Sequence, residues 1–210
     1  MPRMLIAVIA SLALLVGAMP GSADAAASGW KIYAYNQSGQ ALSSKQAPSG
    51  TATAAEFEFL ATPDDALLAM KATGPDSAIL GKTITAKFAI EGAGTFTYYG
   101  APTAGLPANA RLYFNTANGP FAFTKYWWSN PANWTLAVAP GVGTISVNVD
   151  PALWSDWNGQ FGTTDVAAFN EAASNPDLIG LSFGGGSFFE NGVGMSTGSA
   201  TFKLISYTIQ

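Results

Sequence analysis

The chain has no cysteine and no histidine, and its two arginines are Arg3 and Arg111. Without cysteine no disulfide can brace the fold, so stability has to come from packing and hydrogen bonds. Without either residue, Ser-His-Asp and Cys-His nucleophilic systems are excluded. A zinc site would need carboxylates alone, against the usual nitrogen and sulfur ligands. Charge is sparse, with 9 basic and 13 acidic residues and a formal net charge of −4. No basic stripe is present, which excludes nucleic acid as the natural partner. Gly184-Gly185-Gly186 lacks the following Lys-Ser/Thr of a phosphate cradle.

The one long apolar run lies at the start. Residues 4–19 are apolar apart from Ser11 and Gly17, behind Arg3 and the free amine. Ala23-Asp24-Ala25 fits the small-x-small cleavage pattern, which predicts a signal peptide over residues 1–25, with cleavage after Ala27 as the alternative. The run falls short of the roughly 20 residues needed to span a bilayer. Every later apolar run is broken by Gly, Pro or charge, so no membrane span is expected in the mature chain. Residues 26–210 then form a single domain, secreted to the extracellular space or the periplasm. Loss of Arg3 and Asp24 leaves 8 basic and 12 acidic residues.

Apolar residues alternate with period two, the pattern of half-buried strands. Ile84, Ala86, Phe88 and Ile90 share one face of residues 82–90; Ile145, Val147 and Val149 share one face of residues 144–149. Phe57 and Phe59 oppose Glu56 and Glu58. Further strands are expected at 30–35, 66–72, 95–99, 111–115, 121–128, 135–138, 178–183 and 200–209. They are short and separated by Gly, Pro, Asn and Ser, which predicts an all-β sandwich or barrel. Residues 40–53, rich in Ser, Ala and Gln, are expected to be a long loop. Pro63-Asp64-Asp65 reads as a hairpin turn. One short helix is expected over residues 165–174, capped by Thr164 and burying Val166, Phe169 and Ala173. The glycines at 184–186 and 192–198 predict tight turns or close backbone approach.

Five of the 6 tryptophans fall between residues 127 and 157: Trp127, Trp128, Trp134, Trp154 and Trp157. Trp and Tyr faces stack on the C–H faces of sugar rings, and Asn, Asp, Arg and Glu bond the hydroxyls. Tyr126, Trp127, Trp128, Trp154 and Trp157 are therefore candidate platforms. The competing reading places them in the core, where aromatics bury large areas. Trp127 and Trp128 are adjacent on a strand, so only one can line a given sheet face. Arg111, Tyr113 and Asn115 alternate with Leu112 and Phe114, which sets three polar-capable side chains on one face, either a glycan-binding surface or an ordinary solvated sheet face. Arg111 stands out, because its planar fork makes paired bonds and stacks on rings. Asp156, beside Trp157, is a candidate hydroxyl acceptor or calcium ligand, or else a turn former. Glu190 and Asn191 complete the ligand-binding candidates, on a loop or tight hairpin after the triple glycine.

The order of motifs resembles carbohydrate-binding-module-like jelly rolls of the galactose-binding-domain-like type. It runs from Phe57-Glu58-Phe59, a Pro-Asp turn and Leu67-Leu68-Ala69-Met70 to Leu80-Gly81-Lys82 with the strand through Phe88. Trp154-Ser155-Asp156-Trp157-Asn158-Gly159 follows, then the helix, Ile179-Gly180-Leu181-Ser182-Phe183 and the closing strand 200–209. The resemblance covers residues 54–210 and implies an antiparallel two-sheet jelly roll. Many such modules carry structural calcium near the start of the domain; no ligand set for it is evident here, and no other cofactor is expected.

The leading expectation is a non-catalytic protein that binds a polysaccharide or other extracellular glycan. The alternative is a structural or adhesive surface protein with a protein partner. A third reading, a two-carboxylate glycoside-active enzyme, would draw on Glu91, Asp156 and Glu190.

Overall fold

The alternating segments become strands in the computed structural model, which describes residues 29–36, 41–46, 56–59, 65–98, 106–117, 119–186 and 189–210. The signal peptide over residues 1–25 and the turn at Pro63 lie outside the described residues. In chain order the strands are β1 Lys31–Asn36, β2 Ala41–Gln46, β3 Glu56–Glu58, β4 Asp65–Thr73, β5 Thr83–Tyr98 and β6 Ala108–Asn115. They continue as β7 Tyr126–Ser129, β8 Trp134–Thr135, β9 Ala139–Asn148, β10 Trp154–Ser155, β11 Leu178–Gly185 and β12 Val193–Ile209. The helix α1 spans Val166–Ser174. No helix among the described residues is long and apolar enough to cross a membrane.

The path of antiparallel pairing runs β10-β7-β6-β11-β4-β12-β5-β9, with β1 and β2 extending from β4, β3 on β12 and β8 on β6. β4 and β12 meet through one residue pair, Val193 with Leu67. Around that pair the ladder divides into two limbs, whose inner faces pack together as a β-sandwich. Phe183 of β11 and Phe202 of β12 meet edge to face at 5.7 Å, and Phe202 also stacks on Phe57 at 5.1 Å and Phe88 at 5.0 Å. Each such ring pair adds about 0.5–1.5 kcal/mol beyond area burial. The limbs stay joined by hydrogen bonding, where the jelly-roll expectation had two separate sheets.

Several boundaries differ from those expected. The segments 82–90 and 95–99 merge into the single strand β5, bent at Gly92 (φ +136°) and Gly94 (φ +140°). A Cβ at either position would lie 2.3 Å or less from a carbonyl oxygen of β12, so glycine permits the close approach there. The same pairing draws Gly194 and Gly198 into β12, and of the two expectations Gly198 takes the close backbone approach, a Cβ there lying 2.0 Å from the Ala93 carbonyl oxygen. Part of the expected loop 40–53 forms β2, because β1 offers an edge to pair with. Here tertiary context outweighs weak strand propensity.

The helix begins one residue later than expected and is capped by Asp165, whose carboxylate accepts from Ala168 N at 3.0 Å. It buries Phe169, Ala172 and Ala173, the i, i+3, i+4 stripe, and leaves Val166 46% exposed. Phe169 packs against Trp127 at 5.0 Å and Phe114 at 5.8 Å, beneath β6 and β7.

Tyr207 gives the core a pH dependence. Its hydroxyl donates to the Gly180 carbonyl at 3.3 Å, tying β12 to β11 across the core. Burial drives the phenol pKa above its ordinary 10.0. Above pH 10 the unfolded chain releases this proton while the folded chain keeps it. Stability therefore holds below pH 10 and falls above it, by up to about 1.4 kcal/mol per pH unit from this group. Urea unfolding of Tyr207→Phe at pH 9 and 11 checks this: the variant should show a shallower alkaline decline than the parent.

Candidate functional site

Strand register sorts the side chains of the β4-β11-β6-β7 limb onto two faces. Met70, Leu181, Leu112 and Trp127 point into the core. The opposite face carries a row of Lys71, Gly180, Tyr113, Trp128 and Ser155, from β4 to β10. The adjacent row holds Ala69, Ser182 and Arg111. The expected opposition of Trp127 and Trp128 follows from this parity. Gly180 between Lys71 and Tyr113 has no side chain to separate them, and the Lys71 ammonium reaches the Tyr113 ring at 4.1 Å.

Aromatic rings run outward from this face. Trp128, 2% exposed, touches Tyr113 at 5.3 Å, Trp157 at 5.7 Å and Phe189 at 5.7 Å. Trp157 contacts Tyr126 at 5.9 Å and Phe121 at 6.3 Å, and Phe121 meets Phe123 at 5.4 Å. The crest is open: Phe121 is 63% exposed, Trp157 53% and Phe123 44%. The result is an aromatic ridge with a buried base and a solvent-facing top.

The turn carrying Trp157 is fixed by Asp156. Its Oδ1 accepts from the amides of Asn158 and Gln160, both at 2.9 Å. Its own amide donates to the Gln160 carbonyl at 2.8 Å. Asp156 is buried and serves as the turn former of the two expected roles.

Charged groups gather at the inner end of the ridge. Lys71 Nζ pairs with Glu190 Oε1 at 2.9 Å. Burial first, then the nearby Glu190 carboxylate, raises the Tyr113 pKa well above its usual value. Arg111 donates through Nη1 to the Ser129 carbonyl at 2.8 Å and lies with Cζ 4.7 Å from the Phe189 ring. Burial alone pulls its pKa down to about 10, which leaves it charged at neutral pH. Four buried polar atoms here lack a hydrogen-bond partner among the described residues: Arg111 Nε, Asn115 Oδ1, Trp128 Nε1 and Glu190 Oε2. Such atoms are uncommon in folded proteins and each calls for an explanation.

The ten residues singled out in the sequence thus divide. Arg111, Tyr113, Asn115, Trp128, Trp157 and Glu190 lie on or beside this face. Trp127 and Trp154 are in the core at 1% and 0% exposure, because their strand parity and packing on Phe169 and Phe114 turn them inward. Neither can stack on a ligand without unfolding its surroundings. Asn191 bonds back to the end of β11, accepting from Gly185 N at 2.8 Å and donating to its carbonyl at 3.2 Å. Lys71 escaped notice; its only sequence signal was one charge inside the apolar run 67–72. Phe121 and Phe123 were read as strand, whereas Phe123–Lys125 is a 3-10 turn.

A separate cleft of about 240 Å³ lies between β5, β8 and β9, walled by Phe88, Ile90, Trp134, Pro140 and Val142. Trp134 stands edge-on to Phe88 at 5.7 Å. Only the Thr135 hydroxyl and the Trp134 indole give this cleft side-chain hydrogen-bonding groups. Elsewhere, Glu91 pairs with Lys203 at 2.8 Å. Among the described residues no three His, Cys, Asp or Glu side chains converge as a metal site would require.

No family model matches the chain, and no curated protein matches it. Among solved structures it resembles one described as "xylan-binding module CBM15", with 12% identity and a TM-score of 0.41, covering 86% of this chain and 94% of that one.

Proposed function

We propose that residues 26–210 form a secreted, non-catalytic module of jelly-roll type that binds a polysaccharide along the aromatic ridge. The carrying observation is the pair Trp157 and Phe121, open to solvent at 53% and 63% and backed by the buried Trp128. Sugar rings present apolar C–H faces to such a crest. Their hydroxyls supply both donors and acceptors for the unpartnered Arg111, Asn115, Trp128 and Glu190 atoms at its base.

The non-catalytic assignment rests on how the three nominated carboxylates are used. Glu91 is ion-paired to Lys203, Asp156 fixes its own turn, and Glu190 is paired to Lys71. The secreted assignment rests on the apolar residues 4–19 and Ala23-Asp24-Ala25. Tryptophan fluorescence of residues 26–210, titrated with soluble neutral and acidic polysaccharides, tests the reading. Saturable quenching or a blue shift with one glycan class is expected. Silence across the panel refutes glycan binding, and concentration-dependent self-association in sedimentation would then favour the ridge as a protein-docking patch.

A further inference from the structure

Among the described residues, the charge at the base of the site has no counter-ion. Arg111 is 8% exposed. The two ion pairs among the described residues, Lys71–Glu190 and Lys203–Glu91, both leave it out. Its Nε is buried and has no hydrogen-bond partner among the described residues. Burying a charge unpaired is expensive, and a chain that breaks this rule commonly does so at a functional site.

The bonds already made indicate what is missing. Nη1 is committed to the Ser129 carbonyl. Nε remains, and Nε with Nη2 forms the side-on edge by which arginine grips a carboxylate through two parallel bonds. Next to it, the Lys71 and Glu190 charges neutralise each other. Arg111, Lys71 and Glu190 together leave one net positive charge. A neutral hydroxyl would satisfy Nε and leave that charge uncompensated, whereas a carboxylate supplies both the acceptor and the counter-ion.

We propose that Arg111 recognises the carboxylate of an acidic sugar, so the polysaccharide this chain takes is one that bears uronate. This rests on the glycan-binding reading above and names its ligand class. The Phe189 ring, against the guanidinium at 4.7 Å and against Trp128 at 5.7 Å, swings aside as the carboxylate enters. Glu190 Oε2 and Asn115 Oδ1 then accept from hydroxyls along the same glycan.

Affinities measured in EDTA for polygalacturonate, alginate and hyaluronate, each against its carboxyl-reduced counterpart, test the proposal beside neutral polysaccharides. At least one acidic form should bind about tenfold or more tighter than its reduced form, and the gap should shrink with added salt. In Arg111→Gln the gap should vanish, and in Arg111→Lys, which keeps the charge and loses the fork, it should fall in between. Thermal unfolding checks that each variant folds; if one does not, the parent's acid-against-reduced comparison remains decisive. Equal affinity for acidic and reduced forms overturns the proposal, as does a gap that persists in folded Arg111→Gln. Binding of neutral glycans with rejection of every uronate overturns it and leaves the glycan reading standing. No binding to any polysaccharide overturns both.

Discussion

Trp154→Ala should lower the free energy of unfolding by about 3–5 kcal/mol, the range for removing a large aromatic from a packed core. Trp154 is 0% exposed, its ring meets Phe114 at 4.8 Å, and its indole N–H donates to the Asn148 carbonyl at 2.8 Å. Alanine there leaves a cavity between β10 and β6, while the Asn148 carbonyl keeps the Asp150 amide as a donor at 2.9 Å. Urea unfolding followed by far-ultraviolet circular dichroism measures the loss directly. A loss below about 1.5 kcal/mol would mean that Trp154 is not the core residue its packing indicates. The β6-β7 limb also carries Tyr113 and Trp128, so ligand affinity should decline with this variant only as far as the folded fraction does.

Trp154 and Trp157 stand three residues apart, and the sequence treats them alike. Both neighbour small polar residues and both fall in the same aromatic-rich stretch. What separates them is a short ladder and a turn. Trp154 lies in β10 and follows its parity inward, while Trp157 rides the turn that Asp156 closes. Neither device has a distinct sequence period, so the division between core and crest could not be read beforehand. Strand existence was more legible, because alternation such as Ile84-Ala86-Phe88-Ile90 imposes itself wherever one face is buried. That Arg111, Tyr113 and Asn115 share a face followed from strand parity, whereas their burial did not, because β6 is covered on both faces. Lys71 and Phe189 were not legible, because they reach that face from β4 and from the segment between β11 and β12, far away in sequence. Strand ends were least legible where cross-strand pairing carried a strand through glycine, as β5 and β12 do at Gly92, Gly94 and Gly198.

Trp157→Ala should have the opposite profile: a large loss of binding with little loss of stability. The ring is 53% exposed and its contacts are edge-on, to Trp128 at 5.7 Å and Tyr126 at 5.9 Å. The backbone bonds to Asp156 that hold the turn do not involve the indole. Stability should therefore change by no more than about 1 kcal/mol, in keeping with truncation at an exposed position. Central aromatic anchors cost about 2 kcal/mol or more when truncated, so affinity for the bound glycan should fall about thirtyfold. Trp157→Phe keeps a smaller ring and should recover part of that loss. Phe121→Ala, at the outer end of the ridge and 63% exposed, should cost less than Trp157→Ala. Trp128→Ala should fail both measurements together, because its ring at 2% exposure is the base on which Trp157, Phe189 and Tyr113 all rest. Undiminished binding by a folded Trp157→Ala protein would move the site off the ridge altogether. The more apolar cleft beside Trp134 would then become the place to look, and a ligand with fewer hydroxyls the kind to try.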